Sequence, residues 1–477
     1  MNAQAMSPSI FLSQVPLDTD DLLFRIRGGL YLDGILNKTD EIGIKEGLSE
    51  AIKNLIAKVN SQSFVLFGWE SSLYVWPKSH LNTLPTELQE DSTCKSILKL
   101  VPIEVNDYLK RIPARKSVKI KPLKVVNLEL LFELTRPDVF EIVTIQNNKN
   151  SRIHFRLILP IDVVVFANPE DEWGQLQEQF VKAVSTQLYE MDQCIQRFTK
   201  GKSVPIPQAF HFELPESSAL TTVIYPAGYT EKDLEPLRKE LHHQFSLQDK
   251  PFLRRSMAYS FPNDDLSNKY LKTIHKYIPS PSSDDFQVFV VYGSYTFHHY
   301  LQDDINDGGW GCAYRTLQTI LSWYNHQGYI NVPIPTHEKI QKILVTAGDK
   351  GPSIVGSTDW IGSFEIRSVL NSFGITSKIM NIRAGSELAL AARELAEHFE
   401  VQGTPVMVGG EPLAHTLLGV AWNEETGAVK FLVLDAHYTG EDDWASVIDK
   451  AIEWKDDDFW DPLEPYNLCL PQRPQGV

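Results

Sequence analysis

Cysteine is scarce: Cys94, Cys194, Cys312 and Cys469 are the four in a chain of 477 residues. With no Cys-x-x-Cys pair among them, neither a disulfide framework nor a thiolate zinc site can organise the fold. Positive charge is also short, 45 basic residues against 61 acidic, for a formal net charge of −16. A surface that negative repels phosphate backbones and anionic headgroups, so nucleic acid is not an expected partner and direct membrane insertion is not expected. No long apolar run exists either. The most apolar stretch, 155–167, is broken by Arg156, Pro160 and Asp162, and it falls short of the roughly 20 residues a membrane helix needs. Residues 1–21 lack a basic region followed by a continuous apolar one, so no secretory signal is expected. What remains is an intracellular globular chain in which one reactive thiol is worth seeking.

With 43% hydrophobic and 22% charged residues, the composition is that of a folded protein, and the length suggests two or three domains. The first part alternates strand-like and helix-like runs, an α+β pattern. Extended structure is expected over 22–27, a helix over 40–59, and two β-rich runs within 63–76. Apolar residues at Trp173, Leu176, Phe180, Val184, Leu188, Met191 and Ile195 recur at helical steps, so one long helix should bury that stripe, with Cys194 packed beside it. A strand over 220–225 and a helix over 231–245, capped by Thr230, follow. The chain turns polar and rich in Pro and Ser over 261–285, which places the boundary between an N-terminal region, 1–280, and a C-terminal domain, 281–477. That domain reads as a strand (287–292), helices (312–326, 337–347 and 361–373), a strand (377–381), a helix (387–401) and then strands. Runs 416–422 and 428–434 form a hairpin about a turn at 423–427.

The chemistry gathers at Gly308-Gly309-Trp310-Gly311-Cys312 and at Asp435-Ala436-His437. Glycines turn the chain into a helix whose first turn holds Cys312, where unpaired N–H groups and the helix dipole favour thiolate over thiol. A thiolate nucleophile needs a base, and His437 has a carboxylate two residues away to hold its Nδ1–H. Asp435 and His437 are expected to leave the strand on one face. His415 is the rival base, but no carboxylate neighbours it in sequence. Cys94 also opens a helix-like run, without the glycines, and Cys469 reads as a buried strand residue. The backbone N–H of Cys312 is one donor to a tetrahedral oxyanion. A second lies somewhere in 292–300, a run of hydroxyl and imidazole side chains among which spacing does not choose. His298, His299, Asp303 and Asp304 match no zinc template, so no metal and no cofactor is expected.

The segments YLQDDINDGGWGCAYRTLQT (300–319), GSTDWIG (356–362), GTPVMVGGEPLAHTLLGVA (403–421), DAHYTG (435–440) and YNLCLPQRP (466–474) resemble the proteases specific for ubiquitin-fold modifier 1. LFRIRGG (23–29) and YVWP (74–77) resemble the longer type of that family. The resemblance implies a papain-like thiol protease domain, helices packed on an antiparallel sheet, preceded by a separate α+β region. It makes Cys312 the nucleophile, His437 the base, Asp435 its orienter and Tyr300 the side-chain donor to the oxyanion. It further implies maturation of the modifier's precursor and its removal from conjugates. The expected location is cytoplasmic, with recruitment to the endoplasmic reticulum surface by a membrane-bound adaptor that the N-terminal region binds. Trp310 and Trp360 are expected to wall a narrow groove for a glycine-ended tail, with Gly311 lining it. The family's box reads Asp-Pro-His, and Ala436 here gives up proline's fixed φ. Two other readings compete: an autophagin-type protease for a different ubiquitin-like protein, and an inactive module that only binds the modifier.

Overall fold

The computed structural model describes residues 22–61, 65–68, 73–74, 92–103, 124–131, 153–214, 220–261, 264, 269–281, 286–410 and 413–477. The stretch 1–21, read for a secretory signal, and the end of the expected linker, 282–285, lie outside these residues, as does most of 63–76. The described residues form two compact units. One takes the chain up to Thr230 together with Ala258–Asp265, and the other takes Glu231–Met257 and the chain from Leu266 onward. The boundary expected at 280 falls inside the second unit.

In the first unit, strands β1 (Leu22–Leu36), β2 (Val65–Gly68), β3 (Leu73–Tyr74), β4 (Lys124–Leu131) and β5 (Ile153–Ala167) form a sheet in the order β3-β2-β4-β1-β5. Strands β1 and β4 run parallel and the other pairs antiparallel. Helix α1 (Glu41–Asn60) starts where the Asp40 carboxylate accepts the Gly43 N–H at 2.9 Å, which satisfies one of the orphan donors of the first turn. Helix α2 (Trp173–Phe198) buries the stripe its periodicity predicts, from Trp173 to Ile195. Each such side chain contributes about 1.5–3 kcal/mol by leaving water. A hairpin of β6 (Pro207–Glu213) and β7 (Leu220–Pro226) completes the unit. The guanidinium of Arg25 bridges Asp162 at 2.7 Å and Asp264 at 2.8 Å.

The second unit opens with α3 (Glu235–Gln244). The helix starts four residues later than expected, so Thr230 is not its cap. Pro236 lacks an N–H and suits the first turn, where that N–H has no helical acceptor, and the Glu231 carboxylate is occupied by Arg238 and Arg255 at 2.8 and 2.7 Å. Next come β8 (Gln287–Val290), α4 (Cys312–His326), α5 (His337–Ala347), α6 (Ser363–Ser372) and β9 (Ser377–Ile382). The helix expected over 387–401 is a 3₁₀ segment, Gly385–Ala391, that becomes regular only in α7 (Ala392–Val401). Strands β10 (Val406–Gly410), β11 (Leu413–Trp422) and β12 (Val429–Leu434), helix α8 (Trp444–Lys450), and strands β13 (Ile452–Asp456) and β14 (Tyr466–Pro471) follow. The sheet runs β13-β12-β11-β10-β14-β9, with β8 beside the second half of β11, and all its pairs are antiparallel. Helix α4 is buried without interruption from Cys312 to Tyr324 and packs on β10 and β11. The unit is therefore a helical layer laid on an antiparallel sheet. It sets the first turn of a core helix against the strands that lead into Asp435.

Candidate active site

Cys312 owes its place to the loop before it. Gly309 adopts φ +83°, open to glycine at little cost. Gly311 has ordinary dihedrals but no room for a side chain: a Cβ there would lie 2.6 Å from the Asp307 side chain. Asp307 is completely buried. It accepts the Leu301 N–H at 2.8 Å, the Arg315 Nε–H at 2.6 Å and the His337 Nε2–H at 3.0 Å, while its carbonyl accepts the Gly311 N–H at 2.9 Å. Arg315, equally buried, also donates to Asp303 and to the Gln302 carbonyl, at 3.1 and 2.7 Å. One ion cluster thus shapes the whole connection from Tyr300 to Cys312, and it holds three non-glycine residues, Leu301, Asp303 and Asp304, at positive φ. Asp303 therefore serves this loop. The sequence singled out Asp303 but not Asp307, Arg315 or His337; a buried-charge role has no local spacing signal.

At the other side β12 ends at Leu434, and Asp435 and His437 meet in a turn and not on one strand face as expected. The Asp435 carboxylate accepts the His437 backbone N–H at 2.9 Å and its Nδ1–H at 2.6 Å, an Asx-type closure that fixes the tautomer and leaves Nε2 to face the thiol. Ala436 lacks proline's constraint, but it is buried and its carbonyl accepts the Tyr300 N–H at 3.0 Å. That bond ties the two loops together. The Tyr300 and His437 rings sit edge to face, centroids 5.3 Å apart.

Burial by itself would push the Cys312 thiol up, but His437, the Tyr300 hydroxyl and the Ala414 backbone N–H outweigh it and hold Cys312 below an ordinary thiol. Nε2 of His437 faces the sulfur, and each of the two groups shifts the other toward its charged form. Burial opposes the charge on His437, yet Asp435 and Cys312 raise it to about 9. Asp435 stays below the usual carboxylate range through its bonds to His437, against the effect of burial. Burial, and then the charge at Cys312, push the Tyr300 hydroxyl up, so it keeps the proton it would donate. Cys94, Cys194 and Cys469 go the other way, each driven by burial to about 12.

His415, the rival base, does have a carboxylate nearby in space: its Nδ1 lies 3.7 Å from the same Asp435 oxygen. It is nevertheless unsuited to the task, since burial, with the His437 charge adding to it, drops it to about 4. His415, Asp435 and His437 present ligand atoms within 4.8 Å of one another, although Asp435 Oδ1 already accepts two hydrogen bonds. His298 and His299 point elsewhere, toward Thr296 and Asp442. Trp310 lies edge-on to Tyr314 and His337, centroids 5.5 and 5.3 Å away. The Tyr314 hydroxyl donates to the Asp359 carbonyl at 2.9 Å, beside Trp360, whose side chain is 54% exposed.

Residues 49–266 match the family described as ubiquitin-fold modifier 1 specific protease 2, N-terminal, and residues 287–469 match peptidase family C78. The chain is 47% identical to Ufm1-specific protease 2 of Gallus gallus over 96% of its length and all of the relative's. It is 45% identical to the Homo sapiens protein of the same name, over 96% of this chain and 98% of that one. The chain belongs to the Ufm1-specific protease 2 family. Like other peptidases of family C78 it is a cysteine protease, and the expected papain-like α+β fold is present. A solved UfSP from C. elegans superimposes with a TM-score of 0.68 at 27% identity, covering 95% of this chain and 78% of that one. Membership disposes of the autophagin-type reading, and it places the match on both units of the chain.

Proposed function

We propose that the chain hydrolyses the bond after the C-terminal glycine of ubiquitin-fold modifier 1, both in its precursor and in isopeptide conjugates. The Cys312 thiolate attacks the glycine carbonyl. Tyr300 and the Cys312 N–H, which has no acceptor inside the helix, donate to the oxyanion that forms. The His437 imidazolium hands its proton to the leaving amine, and as a neutral base it then activates the water that cleaves the thioester. Asp435 keeps the imidazole oriented. One observation carries this reading: the Tyr300 and His437 loops, tied together through the Ala436 carbonyl and the Asp435 carboxylate, meet at Cys312, and with the Ala414 N–H of β11 they hold it, alone of the four cysteines, below its ordinary range.

Trp310, which packs on Tyr314, and Trp360, next to the Asp359 carbonyl that Tyr314 donates to, are the walls proposed for the narrow groove that takes a glycine-ended tail, with Gly311 lining it. The purified modifier precursor should be cut after its glycine by wild type and left intact by Cys312→Ser. Cleavage that persists in Cys312→Ser, or wild type that cuts no modifier precursor, would overturn the assignment.

Location is part of the same proposal: a cytoplasmic enzyme recruited to the endoplasmic reticulum surface by an adaptor bound to the first unit. Among the described residues no helix is long and apolar enough to cross a membrane, so recruitment would depend on a membrane protein. Full-length chain should float with microsomes and lose that association when the microsomes are first stripped by protease. Equal binding to stripped microsomes or to pure lipid would contradict it.

A further inference from the structure

His299, next to Tyr300, is 2% exposed and has only acceptors around its ring. Nδ1 lies 2.9 Å from the Tyr300 carbonyl oxygen and 3.0 Å from that of Tyr438, and Nε2 lies 2.8 Å from Asp442 Oδ1. Carbonyls cannot donate, and an ionised carboxylate cannot either. Burial would raise the Asp442 carboxyl, but His299 and Gln302 bring it below the usual carboxylate range, so it is the acceptor. The ring of His299 is thus held at both nitrogens, by two carbonyls at Nδ1 and by Asp442 at Nε2.

The partners of this ring are not scattered. Tyr438 follows His437 directly, and its hydroxyl donates to the Glu441 carbonyl at 2.9 Å, closing the turn that presents Asp442. Gln302 donates to Asp442 at 2.9 Å and accepts the His299 N–H at 3.1 Å. The Tyr300 N–H donates to the Ala436 carbonyl at 3.0 Å. Residues 299–302 are thereby stitched to 436–442 at four points. Leu301 sits at φ +64°, a conformation that a non-glycine residue keeps only where its surroundings impose it.

We propose that His299, clasped by Asp442, is a positioning residue that locks Tyr300 to the loop carrying His437, so that oxyanion donor and base are aligned as one piece. The inference rests on the reading of Tyr300 as the oxyanion donor. It assigns work to a buried histidine that spacing left among several.

The test is a double-mutant cycle on the full chain, with modifier-precursor cleavage as the assay. His299→Gln should lower kcat at least tenfold and leave KM within twofold, because alignment matters in the transition state and not in binding. In a Tyr300→Phe background the same substitution should change the rate less than threefold. Asp442→Asn, which keeps the shape and an acceptor but removes the charge, should show the same pattern with a smaller loss and a folded far-UV spectrum; it decides the matter if His299→Gln fails to fold. Losses that multiply with those of Tyr300→Phe would overturn the proposal while leaving the Tyr300 assignment intact. An unchanged rate in Tyr300→Phe alone would remove both.

Discussion

At the scale of single residues, the site is a balance between desolvation and charge. Cys312 and His437 are both substantially buried, which disfavours ionising either alone, and each is charged because the other is. The consequence is a pH profile with a computable shape. The thiolate forms at lower pH than an ordinary thiol, whose pKa is near ~8.5, and the His437 imidazolium persists until about 9. Turnover should therefore rise with pH on the acid side, as Cys312 loses its proton, and should fall above about pH 9, as His437 loses its own. A rate that instead collapses near neutrality, or that still climbs beyond pH 9, would contradict the pairing. Tyr300→Phe removes one oxyanion donor and is expected to cost about 10²–10³ in kcat with little change in KM, read by steady-state kinetics on the modifier precursor. The sequence held most of this. A cysteine after a glycine turn and an Asp-x-His box are visible at their spacing. The Asx-type turn that joins Asp435 to His437 is less so, because alternation along a strand predicts the same proximity by a different geometry.

At the scale of elements, the decisive piece is the connection between Tyr300 and α4. Its shape depends on buried charges, and their removal should be felt as stability. Arg315→Met leaves Asp307 buried with only His337 and backbone partners, a change expected to cost about 3–5 kcal/mol in denaturant unfolding. Gly311→Ala would drive a methyl into Asp307 and displace Cys312. Activity should fall sharply with only a modest shift in unfolding midpoint. If Gly311→Ala turns over normally, that steric account fails. In the first unit, Phe180→Ala opens a cavity among Phe24, Trp173 and the rest of the α2 stripe, at about 3–5 kcal/mol. Periodicity located α2 and α4 because their apolar faces are long and regular. It overran α7, whose first turns are 3₁₀, and it began α3 too early because nothing in the run 231–234 marks a turn as strongly as Pro236 marks a start. Asp307, Arg315 and His337 were beyond its reach: they are distant in sequence and meet only through the fold.

At the scale of the whole molecule, two units with separate cores serve one chemistry, and the relatives match across both. The candidate site, from Tyr300 to His437, lies entirely in the second unit. All of this depends on Cys312 being an ionised nucleophile, which alkylation reads directly. Native chain should be treated with iodoacetamide across a pH series and the cysteine-bearing peptides followed by mass spectrometry, in wild type and in His437→Ala. The account predicts rapid labelling of Cys312 well below pH 8 in wild type, a shift of that labelling to higher pH in His437→Ala, and protected Cys94, Cys194 and Cys469 in both. Labelling of Cys312 with the pH dependence of an ordinary thiol, or unaltered by the loss of His437, would contradict it.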